Sequence, residues 1–302
     1  ITYSTDTTVA QTSANLSQAR RSASGVSGNS VKGYFAGGFT TGAITTTTDK
    51  ITYSTDATVA QTSANLSQAR YGPSGLSNGL TNGYSAGGSA NSATFYTTTD
   101  KITYSTDTTA AQASANLTQA RGFAGSVDGG AIAFGNNCVF SGNVSPNTFD
   151  WTNFISGTFA SGGGLRNFAS GTIVSGMFAA GGNIDAASGA GYFAGGNSAG
   201  AVTTADKLNY LTDTTVASTT ANLSQARQYL AGVSQSSLNG YFAGGYDTFG
   251  SSLITTDKLT YSNDTTVAVT SANLTEARWG LAGCNGESTK GYFVGGFSSY
   301  SQ

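Results

Sequence analysis

The chain has 302 residues, with 42 glycines, 2 prolines, no histidine and a net charge of −2. Only 9% of the residues are charged, against about 25% in an ordinary globular domain. The absence of histidine excludes Ser-His-Asp and Cys-His catalysis and imidazole metal sites, and the lack of a basic excess argues against nucleic-acid binding. No apolar run is long enough to span a membrane. Gly, Ser and Thr replace the strong helix formers, which predicts an all-β fold.

Two phrases recur along the chain at a nearly constant spacing. The first reads ITYSTDTTVAQTSANLSQAR at 1–20 and returns at 51–70, 102–121, 208–227 and 259–278. The second, GYFAGG, occurs at 33–38, 191–196 and 240–245, with variants at 83–88 and 291–296. Tyr3, Tyr53 and Tyr104 lie 50 and 51 residues apart. A fixed period of this length, with short strands in each unit, indicates a β-propeller.

Each unit predicts four strands in chain order. The small residues of Ser24–Ser30 suit an innermost strand, where neighbouring units crowd together. Gly33–Gly38 is an apolar strand whose closing glycines permit positive φ and close backbone approach. Lys50–Thr55 alternates in the manner of a half-buried strand, and the Thr-Asp-Thr-Thr that follows predicts a turn. The polar VAQTSANL stretch is then the outermost strand.

The number of units follows from the spacing. Tyr104 and Tyr210 lie 106 residues apart, which leaves room for two units, with an insertion or a degenerate blade at about 122–190. We therefore predict a six-bladed propeller that forms a single domain over 1–302. Because the chain starts at a third strand and ends after a second one, the N-terminal strands are expected to pair with the C-terminal strands, which closes the ring and removes exposed edges.

The unit resembles a kelch repeat. Gly33–Gly38, Lys50–Thr55 and Arg70 stand in the order of the kelch double-glycine strand, tyrosine strand and closing arginine, although the usual tryptophan after the turn is missing. The phrase at 258–296 is similar to repeats in virion structural proteins of marine and cyanobacterial phages. The resemblance implies a propeller carried on a phage particle, in a tail, a fibre or a surface decoration.

Most charged residues occupy repeated positions. A charge that returns in every blade is better explained by the fold than by catalysis, so we expect this set to hold the blades together, each arginine donating to carbonyls or to a turn aspartate. The turn aspartates are Asp6, Asp56, Asp107, Asp213 and Asp264, and the arginines are Arg20, Arg70, Arg121, Arg227 and Arg278. The acids Asp128 and Glu287 are unrepeated, and a hydrolase would need one of them.

The connections after the double glycine differ in every unit and carry aromatic residues among Ser, Thr and Asn. In a propeller they project from one face, and such a mixture suits sugar or protein surfaces. The alternative is that these aromatics only pack over the rim. The predicted ligand-binding residues are Phe39, Phe95, Tyr96, Tyr246, Phe249, Phe297 and Tyr300.

These features favour a non-enzymatic structural or receptor-binding module of a phage virion. The expected partners are other virion or surface proteins and a host-surface glycan. The alternative is a secreted or cell-surface bacterial lectin that uses the same loop face. We expect no cofactor, no metal, no nucleic-acid partner and no membrane span.

Overall fold

The structure is a computed structural model, and the residues it describes are 9–28, 30–91, 93–129, 189–235, 238–285 and 290–298. By its internal contacts the chain divides into two compact units, residues 1–131 with 189–302 and residues 132–188. All described strands belong to the first unit. The prediction of one domain over 1–302 stays a prediction.

Short strands dominate the described residues. In chain order they are β1 (Ser24–Gly28), β2 (Lys32–Ala36), β3 (Thr48–Thr52), β4 (Ala57–Ala60), β5 (Ser74–Ser77), β6 (Asn82–Ala86), β7 (Thr99–Thr103), β8 (Thr108–Ala111), β9 (Gly125–Asp128), β10 (Ala190–Ala194), β11 (Ala205–Asn209), β12 (Thr214–Ala217), β13 (Ala231–Gln235), β14 (Asn239–Ala243), β15 (Thr256–Thr260), β16 (Thr265–Ala268), β17 (Ala282–Asn285) and β18 (Gly291–Val294). Helical structure in this part of the chain is limited to 3₁₀ turns at Thr12–Ala14, Thr62–Ala64, Ala113–Ala115, Thr219–Ala221 and Thr270–Ala272.

The strands form antiparallel sheets in sequential order. Four sheets have four strands each, β1–β4, β5–β8, β9–β12 and β13–β16, and the fifth contains β17 and β18. This confirms the prediction of an all-β fold built from four-stranded antiparallel units. The predicted turn between the third and fourth strands holds Asp56 at φ 49°, a left-handed conformation that aspartate tolerates. The predicted outer strand is shorter than expected, because β4 ends at Ala60 and the 3₁₀ turn Thr62–Ala64 follows.

The third sheet bears on the predicted count of six units, which stays a prediction. Gly125 in β9 pairs with Ala194 in β10, and Asp128 pairs with Gly191. The intervening stretch therefore leaves after one strand of a hairpin and returns at the next, so it is an insertion within one sheet. The sixth unit expected between Tyr104 and Tyr210 does not separate the second sheet from the third. An insertion between paired strands leaves their ladder intact, and sequence spacing alone cannot distinguish it from an extra repeat.

Successive sheets pack through glycines on their first strands. A Cβ on Gly75 would lie 2.1 Å from the carbonyl oxygen of Gly25 in the preceding sheet, and one on Gly232 would lie 2.1 Å from the oxygen of Ser126. Between the sheets, tyrosines stack in pairs, as in Tyr34 with Tyr104 at 5.8 Å between ring centroids. The core thus repeats from one sheet-to-sheet contact to the next, and at Gly75 and Gly232 only glycine fits where the first strands meet.

The last sheet of this series is less covered than the others. Tyr292 on β18 is 52% exposed, whereas Tyr34 and Tyr192, which occupy the same position in other sheets, are each 1% exposed. Among the described residues β18 pairs with β17 alone. Residues 1–8, which were expected to complete this sheet, lie outside the described residues, so ring closure stays a prediction.

Candidate binding face

Four of the five repeated arginines, all but Arg278, have their side chains buried between sheets. Each of the four follows a 3₁₀ turn and reaches an aspartate on the third strand of the sheet that comes next in the chain. All eight side chains in these pairs are 0% exposed, and the N–O distances are 2.8 Å for Arg20–Asp49, 2.9 Å for Arg70–Asp100, 2.8 Å for Arg121–Asp206 and 2.9 Å for Arg227–Asp257. The acidic partner is therefore the aspartate that precedes the lysine, not the turn aspartate.

Each arginine also donates to a carbonyl, as Arg121 Nη2 does to Phe193 at 3.0 Å. Burial lowers the pKa of Arg121, and the adjacent Asp206 carboxylate opposes that shift. Each of these guanidinium groups thus has both a carbonyl and a carboxylate around it. The guanidinium charge therefore takes part in the contact between two sheets.

The turn aspartates make a second set of contacts across the same boundaries. Asp107 in the second sheet accepts from Tyr34 Oη at 2.5 Å and from Lys50 Nζ at 2.7 Å, both in the first sheet. Burial acts to raise the pKa of Asp107, but hydrogen bonds from Lys32, Lys50 and Tyr34 outweigh it and lower that pKa to about 2. Asp213 and Asp264 accept from a tyrosine and a lysine in the same manner. Asp6 lies outside the described residues.

Asp128, the unrepeated acid, ends β9. Its carboxylate accepts from the Ser77 backbone N–H at 3.1 Å and from Tyr210 Oη at 2.9 Å, and its carbonyl accepts from Tyr261 Oη at 2.8 Å. Desolvation raises its pKa to about 6, in spite of those first two hydrogen bonds. These contacts join the second, third and fourth sheets. Both hydrogen bonds to the carboxylate go to the same oxygen, Oδ1. Glu287 lies outside the described residues.

The first strands of all five sheets line one cavity of about 520 Å³. Its wall is made of small residues, among them Gly25, Gly75, Gly125, Gly232 and Gly283. No charged side chain occurs among the described residues that line it. This agrees with the expectation that the small-residue stretch after each arginine forms an inner strand.

Aromatic side chains form a continuous series across the five sheets. We call Phe39, Tyr71, Phe123, Tyr229, Trp279 and Phe297 the aromatic row. Consecutive rings in that order have centroids 5.8, 5.3, 4.4, 5.3 and 4.9 Å apart. Phe123 and Tyr229 also line the cavity, so the row lies at one end of it. Ring contacts at these distances stabilise the aromatic row and give it a continuous apolar surface.

Backbone geometry positions the row. Phe123 and Tyr229 follow the repeated arginines by two residues and have φ values of 57° and 55°. Their N–H groups donate to the equivalent residue of the preceding unit, Phe123 to Gly72 at 2.8 Å and Tyr229 to Phe123 at 3.0 Å. These hydrogen bonds hold the residues that follow each arginine next to one another, whatever side chain they carry.

Single antiparallel bridges extend each unit beyond the double glycine, and we call each set of bridged residues an end row. In each unit, the residue after the repeated arginine forms a bridge with the residue after the double glycine. In the rows of three residues, that second residue also forms a bridge with a residue further along the same loop. The end rows are Arg21–Phe39–Ile44, Tyr71–Ser89–Phe95, Gly122–Asn197–Ala201, Gln228–Tyr246–Ser252 and Trp279–Phe297. Their composition changes in every unit, in contrast to the repeated scaffold beneath them.

The predicted loop aromatics divide into three groups. Phe39 and Phe297 belong to the aromatic row, and Tyr246 contacts it through Trp279 at 5.6 Å between centroids. Phe95 and Tyr96 are half-buried, and Phe249 is 92% exposed. Tyr300 lies outside the described residues. The rings pack on the rim and still present an exposed surface, with Phe297 at 61%. The choice between the two alternatives for these residues stays a prediction.

The sequence analysis missed Tyr71, Phe123, Tyr229 and Trp279. The available signal was their position, since they stand one or two residues after an arginine, at the point where the repeated phrase ends and the units begin to differ.

No family model and no curated protein matches this sequence. The kelch and phage resemblances therefore stay predictions. The helices in the described part of the chain are all too short and too polar to cross a membrane. The described residues also contain no group of three or more Cys, Asp or Glu side chains arranged to hold a metal ion.

Proposed function

We propose that this chain is a non-enzymatic module of a phage virion, with a structural or receptor-binding role in a tail, a fibre or a surface decoration. Its partners are other virion proteins and a molecule on the host surface. The resemblance of 258–296 to virion repeats supports the location, and the aromatic row supports the binding role.

One observation carries the binding role: most repeated charges lie in contacts between sheets, and the variable positions lie on one face. The repeated Arg–Asp and Tyr–Lys–Asp contacts lie between sheets, while the end rows differ from unit to unit on one face. A repeated scaffold that presents variable, partly aromatic positions with Arg21 as their one charged member among the described end rows is the arrangement expected of a recognition surface.

The proposal includes a kelch-like propeller in which the five described sheets are blades. Ile1–Thr8 would complete the fifth sheet along the free edge of β18. In the first sheet Ile51 lies opposite Gly33, and the same register would set Ile1 opposite Gly291. Closure of this kind would remove the exposed edge of β18.

A bacterial lectin that uses the same face is the second candidate. The observation that favours it is the combination of rings with amide and hydroxyl groups in the Gln228–Tyr246–Ser252 end row. The lectin and virion hypotheses differ in where the chain is found, so localisation separates them.

Two experiments test the virion proposal. Mass spectrometry of purified particles should detect the chain at a constant ratio to the major structural proteins, and particles that lack it would overturn the proposal. Purified chain added to host cells should slow adsorption of the particles if the role is receptor binding. Phe39→Ser/Phe297→Ser, which removes two rings of the face, should lose that competition, whereas Leu211→Ser, a 59% exposed residue in a turn between strands, should keep it.

A further inference from the structure

The loop of the fourth unit carries the most exposed large hydrophobic side chain among the described residues. Phe249 is 92% exposed and lies at the tip of the connection between β14 and β15. The corresponding tips of the first three units hold small residues, with Gly42, Ala93 and Ala199. Because an apolar ring is more stable away from water, a phenylalanine at this one tip calls for an explanation.

A hydrogen-bonded turn fixes the backbone beneath Phe249. Asp247 Oδ1 accepts from the Phe249 N–H at 2.9 Å and from the Ser251 N–H at 2.8 Å, and the Asp247 N–H donates to the Ser251 carbonyl at 3.0 Å. The turn also rests on the ring below it, since a Cβ on Gly250 would lie 3.2 Å from Tyr246 Oη. The phenylalanine is therefore presented by a backbone that is ordered before a partner binds, which lowers the entropy cost of binding.

Phe249 lies at one end of an apolar patch that extends into the fifth unit. Below the turn, Tyr246 contacts Trp279 at 5.6 Å between ring centroids, and Trp279 contacts Phe297 at 4.9 Å. Tyr246 and Trp279 are half-buried, whereas Phe297 is 61% exposed. We call these four side chains the anchor patch. It has two exposed phenylalanines with half-buried rings between them.

Three polar atoms beside these rings are buried, so they cannot reach a bound ligand: Gln228 Oε1, Ser252 Oγ and Trp279 Nε1. No lysine or arginine belongs to the anchor patch or to the turn at 247–251. A sugar site needs polar side chains that meet its hydroxyl groups, and an anionic lipid surface is bound through basic residues. An apolar pocket on a protein needs neither, so a protein is the partner that the anchor patch favours.

The exposed area of the anchor patch indicates a transient contact. At about 200 Å² for a whole phenylalanine, Phe249 at 92% and Phe297 at 61% offer about 300 Å² together. Permanent interfaces between subunits bury about 2,000 Å² or more, whereas transient encounters bury less than about 1,200 Å². Two rings and the loop around them belong to the smaller class. A receptor that is bound and released matches this area better than a permanent neighbour in a particle.

We infer that the anchor patch docks on a protein of the host surface, with Phe249 inserted into an apolar pocket of that protein and Phe297 packed beside it. The inference rests on the proposed function, that the variable face is a recognition surface. It names a protein as the molecule that this face recognises. Phe249 is the anchor because it is the most exposed ring and because a turn holds its backbone in place.

Binding of the fluorescently labelled full chain to host cells, measured by flow cytometry, tests the inference. Treating the cells with proteinase K should abolish saturable binding, and oxidising their glycans with periodate should leave it intact. Phe249→Ser should weaken binding about tenfold or more, because the pocket loses its apolar side chain. The matched control, Leu211→Ser, removes another apolar side chain that is 59% exposed, and its affinity should stay within about twofold of the parent.

The turn provides a second pair of variants. Asp247→Ala removes the acceptor for two backbone N–H groups and should weaken binding about threefold or more, because the turn is no longer fixed before binding. Asp247→Asn keeps an acceptor oxygen at the same place, so its affinity should stay within about twofold of the parent. Far-UV circular dichroism of each variant establishes that it is folded before its affinity is compared.

Four results would overturn the inference: binding that survives proteinase K, binding that periodate abolishes, equal affinities of Phe249→Ser and Leu211→Ser, or no binding of the chain to host cells. Equal affinities of the two Asp247 variants would overturn the role of the turn. The proposed virion location fails separately, because particles that lack the chain refute it whether or not the purified chain binds cells.

Discussion

Replacing Arg121 with leucine should lower the free energy of unfolding by about 3–5 kcal/mol. Arg121 and its partner Asp206 are both 0% exposed, so solvent does not screen the pair. The substitution removes donors to Asp206 at 2.8 Å, to the Phe193 carbonyl at 3.0 Å and to Thr204 Oγ1 at 2.9 Å. The largest part of the cost is the Asp206 carboxylate, which stays buried without its countercharge.

The repeat provides a matched control in Arg278. It donates to the Phe293 carbonyl at 3.1 Å, is half-buried, and has no carboxylate partner among the described residues. Arg278→Leu should therefore cost only about 1 kcal/mol. Arg121→Leu/Asp206→Leu should recover part of the loss, because it leaves no buried charge unpaired.

Urea denaturation followed by far-UV circular dichroism measures all three variants, with the slope m checked for constancy. Equal shifts for Arg121→Leu and Arg278→Leu would refute the reasoning, since the buried pair would then contribute nothing beyond the carbonyl contact. A double variant no more stable than Arg121→Leu would refute the assignment of the cost to the unpaired carboxylate.

Three further predictions use the contacts between sheets. Gly75→Ala should lower the thermal midpoint strongly, because its Cβ would lie 2.1 Å from the Gly25 oxygen; a midpoint within error of the parent would contradict the packing. Asp128→Asn should remove a pH dependence of stability. The folded pKa of about 6 exceeds the ordinary aspartate pKa of 3.8, so the folded state holds the extra proton and parent stability falls as pH rises from about 4 to 6. An unchanged slope in urea midpoints across that range would count against it. Tyr84→Phe should cost about 1–3 kcal/mol in urea denaturation, since it removes the donor to Asp213 at 2.5 Å, and a neutral effect would mean that Lys101 alone suffices.

Local features of the repeat were readable from the sequence. The apolar stretch before the double glycine became β2 and its copies, and the turn with Asp56 fell where the Thr-Asp-Thr-Thr phrase predicted it. These features depend on neighbouring residues, through side-chain alternation and the conformations that glycine and aspartate tolerate. Repetition strengthens such a prediction, because the same strand and turn pattern occurs several times in one chain.

Other features depend on which sheets meet. Each unit contains two aspartates, one before the lysine and one in the turn, and nothing local tells which of them receives the arginine. The insertion after β9 has the length of an additional repeat, so its place within one sheet was hidden until the pairing of Gly125 with Ala194 was known. The aromatic row joins residues from five units that no single period aligns.

The sequence by itself determined an all-β repeat protein with few charges, most of them copied from unit to unit. The tertiary structure decided what those charges do and where the variable aromatics gather. The physical reason is that strand formation is a property of a short stretch of chain, whereas a buried ion pair or a row of touching rings exists only between stretches that the fold brings together. Most of the few charges belong to the repeated scaffold, and the end rows, which hold Arg21 as their one charged residue among those described, carry the difference between units.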